Sequence, residues 1–384
     1  MPSDEGARGG LTGNRWFALG ASTIFVFTVG TAAWIYYSRA PGVDFASFWA
    51  AGRLALLGQP ALAYDAEAHR AVEMTVANMR GLMPFPYPPP FLFAVVPFGF
   101  HPYWLAYLAW MLATAGLYFA ATKRFLPTRF AFAHPAAVVN AVIGQNGFLT
   151  SSLFLFGISV IATSPFAGGA ILGLLVVKPQ LGVLLPVALC AAREWRAIGG
   201  AAVSSVALIA LAALVFGAES YRAFLEISRD YASFMAADRW NWAEQASIFG
   251  FLRFLGAPQA LALAGQAVAA LAAAIVTWRA WRLGLPNRAG ILAAGTMLVP
   301  PYVFTYDSLL LILPASLLLR DSNRWWRPAV LWVLLLVPLL GHLGLYPGPN
   351  TVPLAAILCL WWLGQKEDGG AFRHRRPFET KLTP

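Results

Sequence analysis

Formal charge is what this chain has least of. Of its 384 residues 11% are Asp, Glu, Lys or Arg and 59% are hydrophobic, where a soluble domain carries about 25% charged residues. A chain so composed cannot cover itself with polar surface, so its solvent is lipid. Cysteine is scarce too. Cys190 and Cys359 both sit in apolar runs, without the spacing of a zinc or redox site, and no disulfide between them is expected. His69, His101, His134 and His342 are scattered and make no ligand spacing, so no metal site is expected. Nothing resembles a Ser/His/Asp nucleophile motif or a P-loop. The formal net charge of +10 invites a nucleic-acid reading, yet there is no basic patch with interleaved aromatics. Basic residues collect instead on short loops between apolar runs, as on the cytoplasmic side of membrane proteins. No cleavable signal is expected, because the apolar run 16–37 is too long for a signal core and no small-residue cleavage site follows it.

What the chain has in abundance is apolar runs near membrane-spanning length, for which about 20 residues suffice. They cover 16–37, 89–100, 103–121, 130–144, 148–163, 166–192, 197–217, 258–278, 289–304, 306–319, 328–345 and 351–363. The reading is an all-α integral membrane protein of about twelve spanning or partly spanning helices, with one polytopic domain over 16–364. A polar, disordered cytoplasmic N-terminus (1–15) and a basic cytoplasmic tail (365–384) flank it. The run 166–192 is interrupted at Lys178-Pro179-Gln180, and short broken helices are tolerated at membrane depth where they pack in protein or line a polar cavity. Arginines at 193, 196, 279, 282, 288, 320, 324 and 327 mark cytoplasmic loops. Loops 38–88 and 218–257 then face outward. In the first, segments 45–57 and 66–79 have helical patterns with a polar and an apolar face, expected to lie on the membrane surface. With twelve spans Lys123, Arg124 and Arg129 also land outside, against the charge rule.

Charges inside apolar runs are expensive and usually functional. Lys178 is the only formal charge between Arg129 and Arg193, and Asp307 the only one between Arg288 and Arg320. Each lies near prolines that open the backbone ladder: Pro179, and Pro300-Pro301. Lys178 is either a cation that meets an anionic substrate group or a lysine that snorkels or closes a structural pair. Asp307 has a site role or caps a turn near Tyr306. The amides of Gln145 and Asn146, between Gly144 and Gly147, form a hydrogen-bonded knot or a sugar-binding wall. Asp44 is the only formal charge between Arg39 and Arg53. It is a helix-starting surface acid, or a base within reach of an acceptor hydroxyl where a lipid phosphate would lie.

Several of these stretches together resemble glycosyltransferase family 87, integral membrane enzymes similar to the polyprenyl-phosphate-mannose-dependent α-1,2-mannosyltransferases. Asp44 with Phe48-Trp49-Ala50-Ala51-Gly52, Leu57-Gly58 and Tyr64-Asp65 resembles its first-loop motif, and Tyr87-Pro88-Pro89 with Pro97 the next. Gly144-Gln145-Asn146, Lys178-Pro179-Gln180, Gln245-Ala246-Ser247 with Arg253, and Pro301-Tyr302 with Tyr306-Asp307 resemble the later ones. The resemblance implies a GT-C fold and a polyprenyl-phosphate-linked sugar as donor. It also implies a lipid or glycan acceptor and an outward-facing site in the cytoplasmic (inner) membrane of a bacterium. Asp44 matches the acid taken as the base. Lys178, Arg253 and Arg239 would meet the donor phosphate. Tyr87, Gln145, Asn146, Gln180, Gln245, Tyr306 and Asp307 would contact substrate, Trp240 and Trp242 could stack on a sugar, and no cofactor or metal is called for. Where mannosyltransferases of the family carry a histidine-bearing late pattern, this chain has Tyr306-Asp307, so the sugar is mannose or another hexose or pentose. The competing class is a transporter or flippase for a lipid-linked or small anionic substrate, which would favour internal repeats and a central charged pathway. Neither is visible. An assembly protein without catalysis is a third option.

Overall fold

A computed structural model describes residues 42–76, 83–127, 130–236, 241–320, 324, 326–342 and 345–365. The expected span 16–37, Arg129, Arg239, Trp240 and most of the two termini lie outside them. The described residues are helical, with no β-strand among them and one isolated bridge, Gln245 to Phe304. Among the described residues, three helices are long and apolar enough to cross a membrane: Tyr103–Thr122, Trp195–Tyr231 and Gln259–Arg282. Their outer faces expose Leu105, Leu108 and Leu112, then Val203, Val206 and Leu214, then Leu261, Val268 and Leu271. Such unbroken apolar faces are those of helices solvated by lipid.

The first loop departs from expectation. Its leading helix α1, Val43–Leu56, does not lie on a surface. Phe45 to Gly52 and Leu54 are all buried, because aromatic and small residues occupy every face and leave no polar stripe to point at water. The second helix α2, Ala66–Glu73, is amphipathic as expected, and its Asp65 caps it by accepting from the Ala68 N–H at 2.8 Å. The apolar run 89–100 is not a crossing. It forms a short turn and helix α3, Leu92–Gly99, only about 12 Å long at 1.5 Å per residue. It packs against α1, so close that a Cβ on Gly52 would sit 2.6 Å from the Val95 carbonyl oxygen and one on Gly99 2.7 Å from the Arg53 nitrogen. Helix α4, Tyr103–Thr122, therefore starts at the level of α1, where the Tyr103 hydroxyl donates to the Gly42 carbonyl at 2.5 Å. It carries Lys123 and Arg124 to the far end of the bundle, the end where the other loop arginines gather. The charge conflict of the twelve-run count disappears with the misread crossing.

From that basic end the chain makes three excursions toward α1 and back. The first climbs through α5, Ala136–Ile143, turns at Gly144-Gln145-Asn146, and descends through α6, Gly147–Ile161. Gly144 takes the left-handed backbone (φ 80°) that closes α5. The Arg124 guanidinium donates to Ser159 Oγ at 3.2 Å at the bottom, and Trp110 Nε1 donates to the Gly144 carbonyl at 3.2 Å near the top. The second excursion climbs through α7, Pro165–Gly173, reaches Lys178 and returns through α8, Leu185–Ala191. Pro179 keeps Lys178 out of the helical conformation (φ −146°, ψ 72°) and makes the break. Helix α9, Trp195–Ala236, rises beside it and breaks at Gly217. After a short helix α10, Ile248–Phe254, helix α11, Gln259–Arg282, descends.

The third excursion climbs through α12, Arg288–Thr296, stops at Pro300-Pro301, and descends through a 3-10 turn, Thr305–Leu311, and α13, Ile312–Leu318. Buried Gln266 satisfies the stop. Its amide nitrogen lies 2.7 and 3.1 Å from the Leu298 and Val299 carbonyls, and its oxygen accepts the Phe249 N–H at 2.9 Å. Helices α14, Trp326–His342, and α15, Val352–Gly364, complete the bundle.

The α1–α3 crossing generates a test. Gly99→Ala forces backbone apart and should destabilise by about 1–3 kcal/mol. Gly116→Ala, whose added methyl meets nothing within 4 Å, should be neutral or slightly stabilising. Thermal unfolding of both variants in one detergent checks this, and equal midpoints would show that the crossing is not tight.

Candidate functional site

The three tips meet beside the first turn of α1. Asp44 is the second residue of that helix, where unpaired N–H groups favour a negative charge. It is not a cap: Gly42 holds the N-cap position with no side-chain cap bond, and the Asp44 carboxylate turns away to the first tip. There Gln145 Nε2 donates to Asp44 Oδ2 at 2.9 Å, and Gln145 Oε1 accepts from the Tyr87 hydroxyl at 3.1 Å. Tyr306, from the third excursion, lies close enough to act on the Tyr87 phenol. Asp44 is half-buried, whereas Tyr87, Gln145 and Tyr306 are buried.

The two isolated charges are partners. Lys178 Nζ lies 2.6 Å from Asp307 Oδ1, with the side chains 2% and 0% exposed. Asn146 Oδ1 accepts a second bond from the same ammonium at 3.1 Å, and the Tyr306 ring lies 4.5 Å from it. Asp307 also accepts the Phe304 N–H on its other oxygen at 3.1 Å, so it caps its turn and closes the pair at once. Burial is tolerable here because each charge is met by an opposite charge and by polar partners.

Burial pushes the Asp44 carboxyl up from 3.8 to about 7. The Gln145 hydrogen bond opposes that rise, Glu244 and Glu73 add to it, and Lys178 opposes it. Burial also holds the Tyr87 phenol far above its usual range, so it remains a donor. A carboxylate poised near neutrality, half-open, with one oxygen committed to an amide, is suited to take a proton.

Other expected residues stand further off. Gln245 is fully buried in the bridge to Phe304, and its neighbours zip the second loop onto the third tip: Ala246 N–H to the Val303 carbonyl at 2.7 Å, and Ser247 Oγ to the Pro301 carbonyl at 2.6 Å. Arg253 lies over the Trp242 ring at 5.4 Å and donates to the Ala257 carbonyl at 2.7 Å. Gln180 is half-buried next to exposed Pro179. Arg239 is not among the described residues.

Three supporting amides escaped the sequence reading. Asn140 Oδ1 accepts the Gly147 N–H at 2.7 Å and closes the first tip, Gln266 holds the third, and Asn350 Nδ2 donates to Thr305 Oγ1 at 2.9 Å. Asn140 and Gln266 carried the signal that singled out Lys178, a strongly polar side chain in an apolar run.

Removing one partner of a buried pair strands the other charge, at about 3–5 kcal/mol. Lys178→Met should therefore lower the unfolding midpoint sharply, and Lys178→Met with Asp307→Asn should recover a large part of the loss. Simple additivity of the two single variants in thermal unfolding would show that the pair is not coupled.

A family model for glycosyltransferase family 87 matches residues 85–303. No curated protein and no solved structure gives a significant match. The matched stretch includes Tyr87, Gln145, Asn146, Lys178, Gln245 and Arg253, whereas Asp44 and Asp307 join them through the fold. Since the match covers more than half of the sequence, the chain belongs to glycosyltransferase family 87.

Proposed function

We propose that this glycosyltransferase moves a hexose or pentose from a polyprenyl-phosphate donor to a hydroxyl of a lipid or glycan acceptor, inverting the anomeric centre. The observation that carries the reading is Asp44: a half-open carboxylate, raised toward neutrality, at the point where the polar tips of three excursions meet. Asp44 takes the acceptor proton as the oxygen attacks the anomeric carbon. The bond to the polyprenyl phosphate breaks, and the phosphate leaves with the electron pair. Lys178 has three N–H donors; Asp307 and Asn146 accept from it, and its remaining N–H is offered to the donor phosphate. Arg253 and Arg239 of the second loop are the further cations for that charge.

Asp44→Asn keeps the shape but cannot take a proton at neutral pH. Transfer should fall about 10²–10⁴-fold with donor binding near normal. Wild-type transfer should rise with pH through about 7, as the base ionises. The stability effect runs the other way. A carboxyl whose folded value is raised stabilises the fold at low pH and loses that contribution as pH rises through about 7, so Asp44→Asn should unfold no earlier than wild type at pH 8. Asp65→Asn keeps the helix cap, because the Asn oxygen can still accept the Ala68 N–H, and should retain both fold and transfer. Radiolabelled polyprenyl-phosphate sugars and thermal unfolding in one detergent check all four. An active Asp44→Asn would move the base elsewhere, and absence of any wild-type transfer would favour a transporter.

We also propose that the site end faces away from the cytoplasm and the basic end toward it. Exposed Gln59 lies at the site end and exposed Lys123 at the other. In intact cells a membrane-impermeant maleimide should label Gln59→Cys but reach Lys123→Cys only after permeabilisation. The reverse pattern would invert the assignment.

A further inference from the structure

We infer that Gln145 is a positioning residue that binds Oδ2 of Asp44 to the protein and thereby dedicates Oδ1 to the acceptor's proton; this rests on the reading of Asp44 as the base. The amide has only one possible orientation. Its Oε1 accepts two donors, the Tyr87 hydroxyl at 3.1 Å and the Asn146 N–H at 3.2 Å. An amide nitrogen has no lone pair to accept either, so the atom facing them is the oxygen and the group cannot flip. The nitrogen is left facing Asp44 Oδ2 at 2.9 Å as an obligate donor.

The neighbours of Gln145 are fixed in their turn. The Tyr87 ring packs against Phe48, Phe85 and Phe91 at 4.6–5.5 Å between centroids. Asn146 is held by Lys178. The Gly144 and Gln145 N–H groups both donate to the Asn140 carbonyl at 3.0 Å. Gln145 is thus a short lever on a tip that cannot turn.

The chemical consequence concerns which oxygen works. A proton placed on Oδ2 would face the Gln145 N–H, donor against donor. The proton taken from the acceptor hydroxyl therefore goes to Oδ1, and the carboxylic acid so formed still accepts from Gln145 through Oδ2. The groups whose charge or dipole acts on Asp44 are Gln145 of the first tip, Lys178 of the second, Tyr87, Tyr306, Glu73, Glu244, Tyr103 of α4 and Tyr231 of α9. Among them Gln145 is the one hydrogen-bonded to the carboxylate, and that bond favours its ionised form.

The test uses the full chain in detergent with a polyprenyl-phosphate sugar that wild type transfers. Gln145→Met keeps the length without the hydrogen bonds. It should lower kcat about 10–100-fold, with KM for the donor near wild type. The acid limb of its pH profile should move up by about one unit, the equivalent of one hydrogen bond to a charged group. Tyr87→Phe frees the amide to rotate and should move the limb the same way by less. Tyr107→Phe removes a bond to the Ala141 carbonyl in the same excursion and should leave the limb in place. An unmoved limb in both Gln145→Met and Tyr87→Phe, or an equal displacement in Tyr107→Phe, would overturn the inference and leave Gln145 merely structural. If Gln145→Met fails to fold, Tyr87→Phe decides alone. Should Asp44→Asn be inactive while the limbs stay put, this inference alone fails; should Asp44→Asn be active, the underlying reading fails first.

Discussion

Lys178 and Asp307 are 129 positions apart in sequence and 2.6 Å apart in space, and the arrangement of the site depends on that contact. A buried ion pair adds little net stability, because desolvation offsets most of the attraction, but losing one partner is costly. Its effect is therefore one of register. The second and third excursions must rise to the same depth for the pair to form, and Asn146 draws the first excursion to the same ammonium. None of the three could hold a polar tip in apolar surroundings alone. Together they satisfy one another's donors and acceptors, as backbone and side chains away from water must.

Much of this could be read from composition and spacing. The scarcity of charge declared lipid as solvent, and the isolation of Lys178 and Asp307 marked them as residues with a task. Their partnership was not legible, because nothing local ties position 178 to position 307. The same holds for Asp44 and Gln145. Each was visible as an odd polar residue, and only the meeting of α1 with the first tip shows that one grips the other.

The misreadings share a physical cause. Hydropathy reports that a segment avoids water but not whether it meets lipid or protein. The run 89–100 is apolar because it is pressed against α1, and α1 is apolar because it is enclosed by α3, α4 and the aromatic cluster around Phe48 and Phe91. Length was the discriminating feature: about 12 Å of helix cannot cross a core of about 30 Å.

The direction of the hydrogen bonds carries one more consequence. From Tyr87 to Gln145 each donor points at Asp44, and the chain of groups stops at an amide that cannot hand a proton onward. Among the described residues no wire leads inward from the carboxylate. In the proposed reaction the proton that Asp44 takes therefore departs into the water on the side from which the acceptor came, and the Lys178–Asp307 pair behind it carries no net charge. In that reaction the described residues offer no path for charge along the bundle axis, so the transfer is expected to be insensitive to the voltage across the membrane.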